Sequence, residues 1–420
     1  MHQRMRRLLA ILGPGLITGA SDDDPSGIST YSIAGASAGF SMLWIVLVMT
    51  PMMSVIQGMC ARIAMIEGQG LAATMRRRLP RWALYALCSA VILANTINAG
   101  ADLEGMAASA RLVFGMPIFA WIAAFGVVLV AITVYLSYRR FAAIVKWLTL
   151  ALFAYVVTAF VVHPPWPYVF SRLVVPQLHF NAGWLTTLVG VLGTTITPYL
   201  FFWQAGLEVE EERQLGRTTL AQRKGATADE IATMHLDVNA GMIFSNAVAF
   251  FIIVTTAATL GAHGRHDITS AQDAARALEP LAGRFAFLLF ALGMVGTGLL
   301  AIPALVGSSA YVAAEALRFR EGLDRRPSRA PQFYGVLTAG IAIGMAMGFL
   351  RIDPIAALFW SAVINGIVAV PLVATIVLFA GNERIMGRWR SSALARGWGW
   401  ATVVVMTLAA IGMFVFWGKS

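Results

Sequence analysis

Acidic residues inside an apolar run are rare, and this chain has three in a row. Ser21-Asp22-Asp23-Asp24-Pro25-Ser26-Gly27 interrupts the otherwise small and apolar stretch from residue 8 to residue 40. Proline lacks the amide hydrogen and glycine tolerates irregular backbone angles, so a helix reaching this heptapeptide must open. Its freed carbonyls can then face a site instead of lipid. A second segment, GVLGTTITPYLFFWQAGLEVEEE, sets Pro198 among Thr194, Thr195, Thr197 and Tyr199. A third group, Asn95, Asn98 and Asp102, recurs at i, i+3 and i+7, hence on one helix face, with Glu104 nearby. That face either lines a pathway or hydrogen-bonds between helices.

The elements that must position these residues follow from composition. Of 420 residues, 58% are apolar and 12% charged, and the mean hydropathy is +0.73. A soluble globule, a disordered chain, a coiled coil and a fibre are excluded; lipid is the main solvent. Apolar windows of roughly 20 residues give about eleven spans: 8–40 (interrupted), 41–66, 82–113, 117–137, 141–162, 182–206, 236–260, 281–314, 332–350, 354–380 and 398–418. With the N-terminus in the cytoplasm, the inside segments hold 23 Lys and Arg, against 7 outside and Arg62 within a span. This asymmetry is the positive-inside signature of a multi-pass protein, here of a prokaryotic inner membrane, with its C-terminus outside. The net charge of +10 is therefore topological, and a nucleic-acid partner is not expected.

The N-terminal MHQRMRRLLAILGPGLITGAS also has the form of a signal peptide, but removing it would invert the parity that the loop charges support. Cys60 and Cys88 lie far apart in apolar runs and read as core residues. Trp166 and Tyr168, in HPPWPY, read as interfacial anchors. The loop 207–235, with Glu208, Glu210, Glu211 and Glu212 before Arg213, Arg217, Arg223 and Lys224, reads as a charged solvated extension of the sixth helix.

Length forces the first break. The helix from 8 to 20 rises only about 20 Å, short of the roughly 30 Å hydrocarbon core. One crossing from 8 to 40, unwound at DDDPSG, puts a carboxylate inside the membrane, where charge is costly and by default functional. Asp24 is that residue; Asp22 and Asp23 are expected to face an aqueous vestibule. A single proline in the sixth span would ordinarily read as a kink. However, Asp24-Pro25 and Thr197-Pro198 lie 173 residues apart, each in the first span of a five-helix half. Matched breaks of this kind point to an inverted-repeat transporter with a midplane site. The expected fold is therefore an all-α polytopic membrane protein, one domain over 1–420. Its inverted 5+5 repeats lie at approximately 8–162 and 182–380, with an extra span at 398–418.

Asp237, Asn239 and Asn246 in the seventh span, and Ser361 and Asn365 in the tenth, read as hydrogen bonds between helices, Asn365 also as a pathway residue. Gly340, Gly344 and Gly348 form a packing stripe. Gly296 and Gly298 match a dinucleotide motif by letters alone, with no strand before them. No HExxH, GxSxG or Walker A motif occurs, so no enzyme and no cofactor are expected.

The chain resembles the NRAMP divalent-metal transporter family in GPGLITGASDDDPSG, GTTITPYLFFWQA, SNAVAFFIIVTTAATL and FAGNERIMG, from the first, sixth, seventh and tenth spans. The resemblance implies the amino-acid/polyamine/organocation transporter fold and alternating access. It also implies an altered site. Where the family's first break reads Asp-Pro-Gly-Asn, with Asp and Asn as metal ligands, this chain has Asp24-Pro25-Ser26-Gly27. Where the family reads Met-Pro-His, this chain has Thr197-Pro198-Tyr199. Thr194 falls at the family's carbonyl ligand and Asp102 at its acidic proton-pathway position.

Without thioether and imidazole the site offers oxygen only: Asp24, Thr194, Thr197 and carbonyls. Such a set suits a hard ion such as Mg²⁺ or Mn²⁺, as in the family's magnesium-transporting relatives, and proton-coupled Fe²⁺/Mn²⁺ symport is less expected. A different class of substrate fits the same residues. Ser26, Thr194, Thr195, Thr197 and Tyr199 surround helix N-termini that favour an anion such as bicarbonate, with Asp22, Asp23 and Asp24 holding a coupling Na⁺. A third reading is a receptor or scaffold that has lost transport. Lipid and a small inorganic ion are the expected partners, with H⁺ or Na⁺ as coupling ion.

Overall fold

The computed structural model describes residues 13–135, 150–323, 325–350 and 352–417. The first twelve residues of the stretch 1–21 that has the form of a signal peptide, and the start of the fifth span at 141–149, lie outside them.

Every major element among the described residues is helical. We number them α1 (Pro14–Asp22), α2 (Pro25–Ala38), α3 (Leu43–Glu67), α4 (Arg81–Phe114), α5 (Ile118–Tyr135), α6 (Phe153–Val161), α7 (Ala182–Thr195), α8 (Pro198–Gln214), α9 (Ala228–Thr259), α10 (Ala286–Leu317), α11 (Pro331–Met347), α12 (Pro354–Gly381) and α13 (Ala393–Phe416). By length and composition nine described helical stretches can cross a membrane, or ten if the bent pair below is one span. The expected count of eleven is not reached among the described residues. Part of that difference is that Pro25–Glu67 is one stretch where two spans, 8–40 and 41–66, are expected; HPPWPY opens a short helix, Trp166–Val174, bent 117° from Leu150–Val161. The expected loop 67–81 likewise holds a helix, Leu71–Arg78.

The first and sixth spans break where proline dictates. Asp24 is the N-cap of α2 and Pro25 its first residue; Thr197 and Pro198 stand in the same places before α8. An extended cap followed by proline both stops the preceding helix and starts the next. The apolar window of α7 and α8 is entirely buried, whereas only 28% of that of α13 is, so the broken sixth span is central and the last helix peripheral.

Close approach between helices relies on glycine. Gly15 and Gly19 of α1 lie against the backbone of α9 at Val238 and Gly241, and Gly344 of α11 lies against Gly100 of α4. The Gly340, Gly344 and Gly348 stripe thus packs as expected. Because a Cβ at Gly241 would be driven into the backbone of Gly15, Gly241→Leu is expected to cost about 3 kcal/mol or more. Size-exclusion chromatography of a fluorescent fusion should show loss of the monodisperse peak.

Among the polar residues assigned to helix contacts, Asn246 reaches Met53 of α3 at 3.3 Å. Two others depart from expectation. Asn239 is exposed, and Ser361 donates within its own helix to the carbonyl of Leu358. Cys60 and Cys88 are buried free thiols, as core residues should be.

Candidate functional site

The carboxylate of Asp24 lies at the gap between α1 and α2, where the helix has no amide ladder of its own. Its Oδ1 accepts from the backbone N–H of Gly27 at 2.6 Å and the hydroxyl of Ser26 at 2.7 Å. Its Oδ2 accepts from Asn98 Nδ2 at 3.0 Å. The same Nδ2 donates to Asp102 Oδ2 at 3.0 Å, and Asp102 Oδ1 takes the N–H of Ser26 at 3.1 Å. Asn365 Nδ2 closes the set by donating to Asn98 Oδ1 at 2.8 Å. Thus α2, α4 and α12 converge on one carboxylate.

The sixth span faces this gap with hydroxyls. Thr194 Oγ1 is 3.4 Å from Ser26 Oγ. A Cβ added at Gly27 would stand 3.3 Å from both Asp24 Oδ1 and Thr194 Oγ1, so a side chain there would press on both oxygens, and glycine lets the two breaks come close. Thr197 Oγ1 is buried and has no partner among the described residues. Two predicted residues are committed elsewhere. Thr195 shares its hydroxyl with Tyr31 OH at 2.7 Å and bonds the Val191 carbonyl at 2.9 Å. Tyr199 OH donates to the carbonyl of Ser21 at 2.6 Å, tying the start of α8 to the end of α1. Asn95 belongs to a helix contact, reaching Leu305 O at 3.3 Å and Ser309 Oγ at 3.2 Å on α10.

Asp22 and Asp23 do not face a vestibule. Both are buried and meet at Ser245 of α9, whose hydroxyl bonds Asp22 Oδ2 and lies 3.2 Å from Asp23 Oδ1. The glycine contact between α1 and α9 explains the correction: with Gly19 against Gly241, Ser245 one turn on meets the C-terminal end of α1 and covers it. Ser245 was overlooked beside Asn246 because a serine in an apolar run carries no distinctive signal. Tyr31 was missed for the same reason.

The solvated reading of the sixth helix's extension also fails. Glu208, Glu210 and Glu212 are buried. Glu210 receives Tyr311 OH at 3.0 Å and pairs with Arg213 at 3.3 Å, and Glu212 pairs with Arg217 at 2.6 Å.

Asp237 extends the site toward the start of α1. Gly13 offers α1 no side-chain cap, and Asp237 supplies one from α9, accepting from the amides of Gly13 (3.2 Å), Gly15 (2.6 Å) and Leu16 (3.2 Å). Asp237→Ala should cost about 2 kcal/mol, the upper range for an N-cap with a charge at the helix dipole. Its thermal denaturation in detergent should fall by several degrees.

Among the described residues no three His, Cys, Asp or Glu side chains form a chelating group. A cation here is held by one carboxylate with hydroxyls and main-chain carbonyls. The described residues also leave a cavity of about 1280 Å³ where α2 ends and α7 begins, lined by Ser37, Asn181, Trp184, Thr187, His266 and Trp360 among others.

Two membrane-spanning helices broken opposite each other around buried oxygens define a transporter fold of the inverted-repeat type. Residues 15–416 match the family model described as Natural resistance-associated macrophage protein-like, and the chain belongs to that family. It is a membrane transporter and not an enzyme. Among its relatives is the Divalent metal cation transporter MntH of Erwinia tasmaniensis, 25% identical over 94% of this chain and 92% of that protein. The protein of the same name from Mesorhizobium japonicum is 28% identical, over 70% of this chain and 64% of its own length. The manganese transporter of Eremococcus coleocola, solved with an aromatic bis-isothiourea substituted compound, superposes with a TM-score of 0.74 at 18% identity, covering 98% of this chain and 87% of that one. Mhp1, a nucleobase-cation-symport-1 family transporter, does so with 0.60 at 12% identity, over 96% and 90%. At those identities the likeness shows the fold.

Proposed function

We propose that this protein moves a divalent cation of the Mg²⁺/Mn²⁺ class by alternating access, through the gap between Asp24 and Thr194. The observation that carries the reading is the oxygen set at that gap. Asp24 is joined by the hydroxyls of Ser26 and Thr194, and Thr197, at the cap of the second break, has a buried hydroxyl with no partner among the described residues; none of these groups is a sulfur or an imidazole. Hard oxygen donors favour hard cations. The relatives named as divalent metal cation transporters support the metal over other substrates. Ser26 Oγ, Thr194 and Thr197 are the proposed neutral ligands, and Asp102 and Asn98 orient Asp24. The repeats at 8–162 and 182–380 would rock around this site, with the last helix outside them. The cavity between α2 and α7 serves as the outer vestibule, and the N-terminus lies in the cytoplasm.

Small-anion symport draws less support from the same geometry. The amides at the start of α2 that would hold an anion are occupied by the chain's own carboxylates, Gly27 N–H by Asp24 and Ser26 N–H by Asp102.

The test is influx into proteoliposomes. Saturable Mg²⁺ and Mn²⁺ uptake that Asp24→Asn abolishes supports the proposal, and imposed H⁺ or Na⁺ gradients identify the coupling ion. Na⁺-dependent bicarbonate uptake without metal flux would overturn it. Efficient proton-coupled Fe²⁺ uptake with no Mg²⁺ flux would show instead that the oxygen set does not decide the metal.

A further inference from the structure

The second half of the broken sixth span holds a buried carboxylate that the chain leaves without a fixed countercharge. Gln204 and Glu208 stand at i and i+4 on α8, hence on one face, and both are buried. They lie about 9 and 15 Å beyond Pro198 along the helix, toward the end that the loop charges assign to the cytoplasm. Gln204 Nε2 donates to Glu208 Oε1 at 2.8 Å, while Gln204 Oε1 has no partner among the described residues. On α3, which packs against α8, Gln57 is fully buried and neither atom of its amide is bonded.

The other glutamates of this helix show that the omission is local. Glu210 and Glu212 each have a guanidinium, from Arg213 and Arg217. Among the described residues Glu208 has no ion pair; its hydrogen-bond partner is a neutral amide that presents an idle carbonyl oxygen. An amide can turn either end toward a neighbour, so Gln204 donates to Glu208 when the pair is alone and can offer its carbonyl to a cation when one arrives. A buried carboxylate and a free amide carbonyl oxygen beside it are hard-cation ligands.

From this geometry we infer that Glu208 and Gln204 form a second cation station, which the transported divalent ion occupies on its way from the central site to the cytoplasm. The inference rests on the proposed function for the identity of the ion. Its place in the fold is independent of the Asp24 site. Each site has one carboxylate, but the station adds a single neutral oxygen where the centre is proposed to add three hydroxyls, so it binds about tenfold or more weakly than the centre, as release requires.

Loss of the free Mn²⁺ electron paramagnetic resonance signal, titrated with the full-length protein in detergent, tests the station. Wild type should show a tighter and a weaker class of bound Mn²⁺. Asp24→Asn should keep only the weaker class, Glu208→Gln only the tighter, and the double variant neither. The inner station is overturned if Asp24→Asn already removes all binding, or if the double variant binds as Asp24→Asn does. A tight class that survives Asp24→Asn while Glu208→Gln removes the weak one would overturn the central site alone. Wild type that binds no Mn²⁺ would overturn both. Gln204→Leu in the Asp24→Asn background keeps the Glu208 carboxylate and removes the amide, carbonyl ligand and Nε2 donor together; it should weaken the remaining class at least tenfold, and unchanged binding there would overturn the station even if Glu208→Gln does not fold.

Discussion

Replacing Asp24 by asparagine should lower saturable Mg²⁺ and Mn²⁺ influx by about 100-fold or more, corresponding to roughly 3 kcal/mol of lost binding. Asparagine keeps the shape of the side chain and is as good an N-cap as aspartate. Its oxygen can still accept from Gly27 N–H and Ser26 Oγ, so α2 should start where it does now. What disappears is the one charged ligand that lies within reach of Thr194 across the gap. In a buried site that charge does most of the work of replacing a cation's hydration. A smaller cost arises where the new amide meets Asn98 Nδ2, two donors face to face. Asn98 cannot simply turn, because the same Nδ2 serves Asp102 and its Oδ1 accepts from Asn365. That cost is about 1 kcal/mol, enough to lower stability slightly and too small to unfold the chain. The informative measurement is therefore influx per folded molecule, with folding checked by thermal denaturation. Uptake that persists within a few-fold of wild type would mean that Asp24 is a structural cap and that the cation passes elsewhere.

The outline of this site was legible in the sequence because proline, glycine and charge are readable signals in an apolar chain. Asp24-Pro25 and Thr197-Pro198 announced both the breaks and the helices that restart after them, and the i, i+3, i+7 spacing put Asn98 and Asp102 on the face that reaches Asp24. What the sequence concealed was the direction in which adjacent residues point. Asp22 and Asp23 differ from Asp24 by one or two positions, yet they turn to Ser245, because Gly19 and Gly241 let α9 come close enough to cover them. Thr195 and Thr197 look equivalent in TTIT; the helical one bonds back to Val191 and across to Tyr31, and the one at the cap is left free. The same limit applies to the acidic run after α8. Composition made it a solvated face, and only the packing of Tyr311, Arg213 and Arg217 against it shows that it is buried. Glycines that allow backbones to touch carry no polarity of their own, so their partners must be found in three dimensions.

Metal preference should be movable at a single position. Thr197→Met is expected to raise the effectiveness of Cd²⁺ as a competitor of Mn²⁺ influx by about tenfold or more, and to weaken Mg²⁺ uptake in parallel. Thr197 precedes α8 at its N-cap, but its hydroxyl caps nothing and bonds nothing, so replacing it forfeits no hydrogen bond. The site proposed for it offers hydroxyl and carboxylate oxygens as ligands, and a thioether is the softest donor that a side chain of this length can add. Soft donors discriminate by bonding Cd²⁺ or Fe²⁺ well and Mg²⁺ hardly at all, while the loss of one oxygen penalises the hard ion. The position is fully buried, so the larger side chain carries an overpacking cost of about 1–3 kcal/mol, which methionine's flexible stem reduces. A leucine at the same place separates the two effects: it has the bulk without the sulfur, and should lower influx of every cation without favouring Cd²⁺. If Thr197→Met and Thr197→Leu shift the ratio of Cd²⁺ to Mg²⁺ equally, the side chain at 197 does not touch the ion, and selectivity must come from Asp24, Ser26 and Thr194 alone.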